Sequence, residues 1–264
     1  MTFGFIGCGN MGGAIARGVV KKVGGDKVVL ANRTIEKAER LAVDLNCRTG
    51  FNEDAAACDF VFLGVKPHLM EDMLVKLRPA LKKNPRGVLV TMAAGLTTDR
   101  IREMADCNNP VIRIMPNTPA SIGKGMIQYC LLDVTRAQED TFLDAMSLCG
   151  RLDQLAEDLI DAASAVSGCG PAYACMFMEA LADGGVACGL PRAKAMEYAA
   201  QMLLGSAEMA LQSGQHPDEL KDAVCSPKGS TIQGVRALEA NGFRSAVLEA
   251  VIAAFEKNRE MGKR

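Results

Sequence analysis

The feature that most constrains this chain is Gly7-Cys8-Gly9-Asn10-Met11-Gly12, three glycines spaced as G-x-G-x-x-G near its start. The apolar run Thr2 to Ile6 before it reads as a strand, and Met11 to Val20 reads as a helix. Gly7 permits the tight turn, Gly9 lets backbone amides approach a pyrophosphate, and Gly12 allows the helix to pack on the strand. The helix N-terminus adds partial positive charge at the same place. A plain turn can have the same composition, so the glycines alone say little. The strand–turn–helix context is what the motif requires, and it is present. The chain is expected to bind a dinucleotide.

The rest of the first half has the same grammar. Lys27 to Ala31 reads as a second strand and Ile35 to Leu45 as a second helix with Leu41 and Leu45 inward. Asp59 to Val65, Gly87 to Met92 and Val111 to Met115 read as further strands, and Gly125 to Leu132 as one more near the sheet edge. Short apolar runs separated by helical segments indicate parallel strands buried on both faces. The fold class is therefore α/β, with a Rossmann-type doubly wound sheet over residues 1–155.

Near Leu152 the character changes, and residues 156–264 are expected to form an all-helical domain rich in Ala, Leu, Met and Gly. Helices are read near 158–166, 171–188, 191–213, 217–224, 230–240 and 243–260. Pro171, Pro191 and Pro217 sit where a helix can begin. Ala180, Gly184, Gly185 and Cys188 recur along one of these helices, so that helix axes can approach closely there. So small a domain has much apolar surface for its volume, which predicts a dimer interface built from these helices.

Composition narrows the function. Formal net charge is −1 with no basic block, which disfavours a nucleic-acid partner. No apolar run reaches membrane-spanning length, since Glu197, Gln201 and Glu208 interrupt the most apolar helix, so no membrane partner is expected. Met1 runs straight into Thr-Phe-Gly-Phe-Ile-Gly without a signal-peptide pattern. The ten cysteines are scattered singly, without metal-ligand spacing, and read as reduced core thiols of a cytoplasmic protein; no metal is expected.

The turn after the second strand selects the cofactor. An acidic residue there would hold a ribose 2′-hydroxyl and repel a 2′-phosphate. Asn32-Arg33-Thr34 offers instead an amide, a cation and a hydroxyl, which favours NADPH while leaving NADH usable. Arg33 also reads as a plain surface arginine. Val65-Lys66-Pro67 and Ala93-Ala94-Gly95 lie at the carboxyl ends of strands, where open α/β sheets bind ligands. Lys66 has the alternative reading of a helix-flanking charge.

Only two histidines are present, His68 and His216, so a histidine-centred alcohol dehydrogenase mechanism is not favoured. The N-terminal pattern Gly4 to Gly12 resembles the β-hydroxyacid dehydrogenases. That family carries a catalytic lysine in a pattern like Gly-x-Gly-x-x-x-Lys-x-x-Asn. In Gly168-Cys169-Gly170-Pro171-Ala172-Tyr173-Ala174, Ala174 stands at the lysine position and Phe177 at the asparagine. Alanine cannot transfer a proton.

Over essentially its whole length the chain resembles the pyrroline-5-carboxylate reductases. The segments that carry the resemblance are Gly4 to Gly12, Val65-Lys66-Pro67 and Arg113-Ile114-Met115-Pro116-Asn117-Thr118-Pro119. In the second half they are Ser167 to Tyr173, Asp183-Gly184-Gly185-Val186, Gly189-Leu190-Pro191-Arg192 and, most diagnostic, Ser226-Pro227-Lys228-Gly229-Ser230-Thr231-Ile232.

The resemblance implies a homodimer, with larger rings of dimers as a further assembly, and a substrate pocket shared between subunits. It implies NAD(P)H-dependent reduction of 1-pyrroline-5-carboxylate, a small imino acid, to L-proline. An iminium carbon is already electrophilic, so hydride transfer needs positioning more than a strong acid. By resemblance, Thr231 is the catalytic hydroxyl approaching the ring nitrogen, and Lys228, Gly229, Ser230 and Glu157 are substrate contacts. Asn52 is an adenosine-side contact on the same ground. Backbone N–H groups where Ser226 to Thr231 enters a helix can hold the substrate carboxylate. Glu157 reads equally as a carboxylate favoured at a helix start.

The sequence departs from the family pattern in three places. Lys228 replaces a usual glycine, Ser230 replaces a common threonine or alanine, and Ala223 stands where some members have asparagine. Two other functions stay open at this point: an imine reductase for a different cyclic imino acid, and a non-catalytic dinucleotide-sensing protein.

Overall fold

The computed structural model describes residues 1–262. The first part alternates strand and helix: β1 (Phe3–Ile6), α1 (Asn10–Val23), β2 (Val28–Ala31), α2 (Ile35–Leu45), β3 (Arg48–Thr49), α3 (Asn52–Ala56), β4 (Phe60–Leu63) and α4 (Pro67–Lys83). It continues with β5 (Val88–Thr91), α5 (Thr98–Ala105), β6 (Val111–Met115), β7 (Gly125–Leu132), α6 (Arg136–Met146) and β8 (Gly150–Gln154). The strands form one sheet of order β3-β2-β1-β4-β5-β6-β7-β8. Every neighbouring pair is parallel except β6 with β7. The order reverses between β1 and β4, so the turn after β1 opens on the crevice where such sheets bind ligands.

Strand residues alternate between two cores. Phe3, Phe5, Phe60, Phe62, Ile112 and Ile114 point to the face that also buries Ile15, Val19, Ala38 and Phe142. Ile6, Val61, Leu63 and Val111 point to the other, against Met70, Leu74, Leu77 and Ile101. On the first face the rings of Phe5 and Phe62 stack with centroids 4.4 Å apart, and Phe3 stacks on Phe60 at 5.4 Å. Such pairs contribute about 0.5–1.5 kcal/mol beyond their burial, here across the β1–β4 register that frames the crevice.

Two strands were not read from the sequence. β3 has two residues, both exposed, and β8 (Gly-Arg-Leu-Asp-Gln) has no apolar run. β8 is the edge strand, and β7, expected near the sheet edge, lies next to it.

After β8 come α7 (Ile160–Ala163), a π-helical turn at Ser164–Gly168, α8 (Gly170–Ala187), α9 (Arg192–Ser213), α10 (Pro217–Val224), α11 (Ser230–Ala240) and α12 (Phe243–Gly262). The single helix read near 158–166 is thus a 3-10 turn at Glu157–Leu159, one α turn and the π turn. The fold is an α/β Rossmann-type sheet followed by a helical region.

The chain divides into two compact units, Met1–Cys169 together with the segment from Ala254 on, and Gly170–Ala253. Ile160 belongs to the first by packing, buried with Met115 and Cys130. The line drawn after residue 155 from composition marks where strands give way to helices. Within the second unit α8 meets α9 closely at Gly185, where a Cβ would lie 3.1 Å from that of Ala195. No helix among the described residues is long and apolar enough to cross a membrane.

Candidate cofactor and substrate sites

The Gly7–Gly12 turn connects β1 to α1 in the geometry a phosphate-binding loop needs. Gly7 has φ +99°, a region L side chains rarely adopt, and a Cβ on Gly12 would run into the Gly7 carbonyl oxygen. A Cβ on Gly9 would meet nothing within 4 Å, so the loop leaves open space above the start of α1. Gly9 is the N-cap with no side-chain capping bond. The amides of Asn10, Met11 and Gly12 are therefore without an intrahelical acceptor, as in any first turn. An open cradle of unpaired donors fits a pyrophosphate.

Asn32 joins this loop to the next. Its Oδ1 accepts from the Cys8 N–H at 3.1 Å, and its Nδ2 donates to the Thr34 carbonyl at 2.8 Å. Both ends of the side chain are thereby occupied, which makes Asn32 a strut between the Gly-rich turn and the Asn32–Thr34 turn. Arg33 is exposed and has no hydrogen-bond or ion-pair partner among the described residues, which leaves its guanidinium available to an anion. Thr34 caps α2 through its backbone only. No carboxylate occupies the turn itself, so the donor set fits a 2′-phosphate. The Cys8 thiol donates to the Ala31 carbonyl at 3.5 Å. Burial, and secondarily Cys47, push that thiol up to about 11.

The other cofactor segments lie at the same carboxyl edge. Val65 and Lys66 follow β4, and Lys66 is the N-cap of α4 with Pro67 at its first position. Gly64 donates to the Ile6 carbonyl at 2.8 Å, holding the end of β4 to β1. Ala93, Ala94 and Gly95 follow β5, with Ala93 buried and Gly95 at φ +74°. Asn52 opens α3 just after β3. The structure thus brings all sixteen expected cofactor residues to the carboxyl ends of β1, β2, β3, β4 and β5.

The substrate-loop residues Lys228, Gly229, Ser230 and Thr231 lie in the second unit. Pro227 and Lys228 are the central residues of a tight turn closed by the Gly229 N–H donating to the Ser226 carbonyl at 3.0 Å. Lys228 has φ +64°. Proline second and positive φ third is the type II pattern, in which the third residue is usually glycine. The lysine keeps the conformation that the missing glycine would favour. Gly229 caps α11 without a side-chain bond, and Ser230 and Thr231 follow as its first residues. Their amides form an unpaired donor group beside the exposed Thr231 hydroxyl, which has no hydrogen-bond partner among the described residues.

Glu157 is engaged elsewhere, in the first unit. Its Oε1 accepts from the Thr98 N–H at 2.8 Å and its Oε2 from the Thr98 hydroxyl at 3.0 Å, at the first turn of α5. It also lies 3.5 Å from Nη1 of Arg113, whose Nη2 donates to Asp161 at 2.7 Å. The alternative read from the sequence, a carboxylate serving a helix start, describes these contacts, although the helix it serves is α5. Arg113 is 2% exposed and stands in the middle of β6. Its role was not read from the sequence; the signal was an arginine inside Val111-Ile112-Arg113-Ile114-Met115, where periodicity asks for an apolar residue. No cluster of metal-ligating side chains occurs among the described residues.

Comparison with known proteins supplies the family. A profile described as pyrroline-5-carboxylate reductase dimerisation matches residues 157–261, and one described as NADP oxidoreductase coenzyme F420-dependent matches residues 2–95. The pyrroline-5-carboxylate reductase of Escherichia coli is 39% identical, over 98% of each chain, and that of Pisum sativum 37%, over 98% of this chain and 96% of its own. Among solved structures, the Plasmodium falciparum pyrroline carboxylate reductase with NADP bound superposes with a TM-score of 0.89 at 32% identity, covering 99% of this chain and 98% of its own. The Streptococcus pyogenes 1-pyrroline-5-carboxylate reductase gives 0.89 at 31%, covering 98% of each. With this much identity over nearly its full length, the chain belongs to the pyrroline-5-carboxylate reductase family.

Proposed function

We infer that this protein is the NAD(P)H-dependent reductase that converts 1-pyrroline-5-carboxylate to L-proline, the last step of proline biosynthesis. The observation that carries the reading is the 39% identity to a named reductase over 98% of the chain. When bound, NADPH supplies the hydride, with NADH as a usable substitute. The chain's own residues bind and orient. The Gly7–Gly12 amides hold the pyrophosphate, Arg33 and Thr34 take the 2′-phosphate, and Asn52 contacts the adenosine. Val65-Lys66-Pro67 and Ala93-Ala94-Gly95 border the nicotinamide end. The free amides of Ser230 and Thr231 hold the substrate carboxylate at the turn that Gly229 closes, and Lys228 adds positive charge beside them. The Thr231 hydroxyl approaches the ring nitrogen and accepts a hydrogen bond from its N–H in the iminium form, and Glu157, held by Thr98 and Arg113, contacts the substrate.

The active form is a homodimer, with a ring of dimers as the larger assembly. Residues 1–155 serve the cofactor, and residues 156–264 serve substrate and dimer. The protein works in the cytoplasm, without nucleic-acid or membrane partners.

The test is NADPH oxidation with racemic pyrroline-5-carboxylate, its six-membered homologue alongside and NADH in parallel. Fast turnover of the five-membered ring supports the reading. Preference for the larger ring replaces it with another imine reductase, and NADPH binding without turnover of either ring replaces it with a sensor.

A further inference from the structure

Phe51 is the one exposed aromatic side chain of the first unit, 76% accessible, whereas Phe3, Phe5, Phe60, Phe62, Phe142 and Tyr129 are buried. Aromatic residues are only 5% of this chain, so leaving a phenyl ring in water is a conspicuous expense of apolar surface. The ring is held out by a fixed backbone. The Phe51 N–H donates to Asp54 Oδ2 at 2.8 Å, and its carbonyl accepts from Asp54 at 3.1 Å and Ala55 at 3.2 Å. Ala55 and Ala56 are fully buried, which anchors α3 and with it the base of Phe51.

Its place in the topology is specific. Thr49 of β3 pairs with Leu30 of β2, and Gly50 donates to the Leu30 carbonyl at 3.1 Å. The chain therefore leaves the sheet at its carboxyl edge beside the end of β2, where the Asn32–Thr34 turn begins, and Phe51 follows at once. In a doubly wound sheet the pyrophosphate sits at the turn after β1, and the ribose of the adenosine half lies at the end of β2. The next group outward, over β3, is the base. An adenine ring has apolar faces that gain from an aromatic partner.

We propose that Phe51 is the platform on which the adenine ring of the dinucleotide stacks, an inference that rests on the cofactor reading above. The 2′-phosphate end of the same nucleotide then faces Arg33, and Asn52, next in the chain, borders the base. Phe51 is a positioning residue for the cofactor, remote from the reacting atoms, and its contribution is to affinity for the adenosine half.

The chain contains no tryptophan, so Phe51→Trp places a sole indole on the platform. The probe is 5′-ADP, which carries adenine and no nicotinamide. Its addition is expected to quench the indole emission saturably, with ribose 5-phosphate, which carries no base, producing no change. By calorimetry Phe51→Ala is expected to weaken 5′-ADP and NADPH binding roughly tenfold or more, with Phe51→Trp retaining both. The ring is outside the core, so circular dichroism should match the parent chain in each variant. Wild-type 5′-ADP affinity in Phe51→Ala overturns the proposal, as does unchanged indole emission while calorimetry shows 5′-ADP bound. A parent chain that binds neither 5′-ADP nor NADPH overturns the cofactor reading itself, and the platform with it.

Discussion

Lys228 shows how a single residue carries a conformation that its type disfavours. At φ +64° an L side chain crowds its own backbone, at a cost of about 1 kcal/mol that glycine escapes. Glycine in turn loses more freedom on folding, so the two nearly offset. Lys228→Gly should therefore change stability by less than about 1 kcal/mol, and Lys228→Val, β-branched at positive φ, should lower it by about 1–2 kcal/mol in urea denaturation. Equal stability of all three would mean the turn relaxes away from that conformation. Thr231, on the α11 side of the same turn, faces a different test. Thr231→Ala should reduce kcat by roughly tenfold to a hundredfold with an unchanged circular dichroism spectrum, and unaltered steady-state kinetics would remove the hydroxyl from the reaction. Cys8 stands in the cofactor turn, yet burial raises its pKa to about 11, so at neutral pH it is a thiol and not the nucleophilic thiolate. Iodoacetamide followed by mass spectrometry should leave Cys8 unmodified near pH 7.5 and label it only as the pH approaches that value; rapid labelling at neutral pH would show a thiolate there.

At the scale of elements, Arg113 ties β6 to the segment that follows β8. Its guanidinium is buried, with Asp161 at 2.7 Å, Glu157 at 3.5 Å, and no partner for Nε among the described residues. Removing the nearer carboxylate leaves a buried cation held by the longer contact alone. Asp161→Asn should cost about 2–3 kcal/mol in urea denaturation, while Asp158→Asn, which has no ion pair among the described residues, should cost under about 0.5 kcal/mol. Equal effects would mean the pair adds nothing net. This cluster also marks the limit of what the sequence disclosed. Strands β1, β2, β4, β5, β6 and β7 were legible because each is an apolar or β-branched run, and so were the turns that follow β1, β2, β4 and β5, whereas Asn52, after β3, came from the family resemblance. β3 and β8 were not legible, since backbone pairing alone defines them. Glu157 could be matched to a substrate position by family pattern, but its bonds to Thr98, far away in sequence, come from tertiary packing. The sequence shows a lysine where a glycine is usual, but only the backbone angle shows that the turn keeps positive φ there.

For the whole molecule, the decisive imbalance is in the second unit. Its buried side chains are Ala182, Ala195 and Ala199, while Met176, Leu204, Leu211 and Leu248 are each more than half exposed. Three alanines do not make a core that holds five helical segments together, and the exposed surface exceeds what a monomer ordinarily shows. A dimerisation profile matches residues 157–261, so the missing burial is that of a second copy. Leu204 and Leu211 are spaced i, i+7 on α9 and share one face of that helix. If that face is part of the interface, charging it places two carboxylates per protomer, four per dimer, against apolar surface, a cost of several kcal/mol per dimer. Sedimentation velocity at micromolar concentration should show the parent chain as a dimer or larger. Leu204→Glu with Leu211→Glu should weaken association by at least roughly a hundredfold and yield monomer. The parent's thermal midpoint should also rise with protein concentration, as it does when association stabilises the fold. A double variant that still sediments with the parent assigns the contact to other faces of the unit. A parent chain that is monomeric with a concentration-independent midpoint removes the dimer, and the alanine-only core would then have to stand alone.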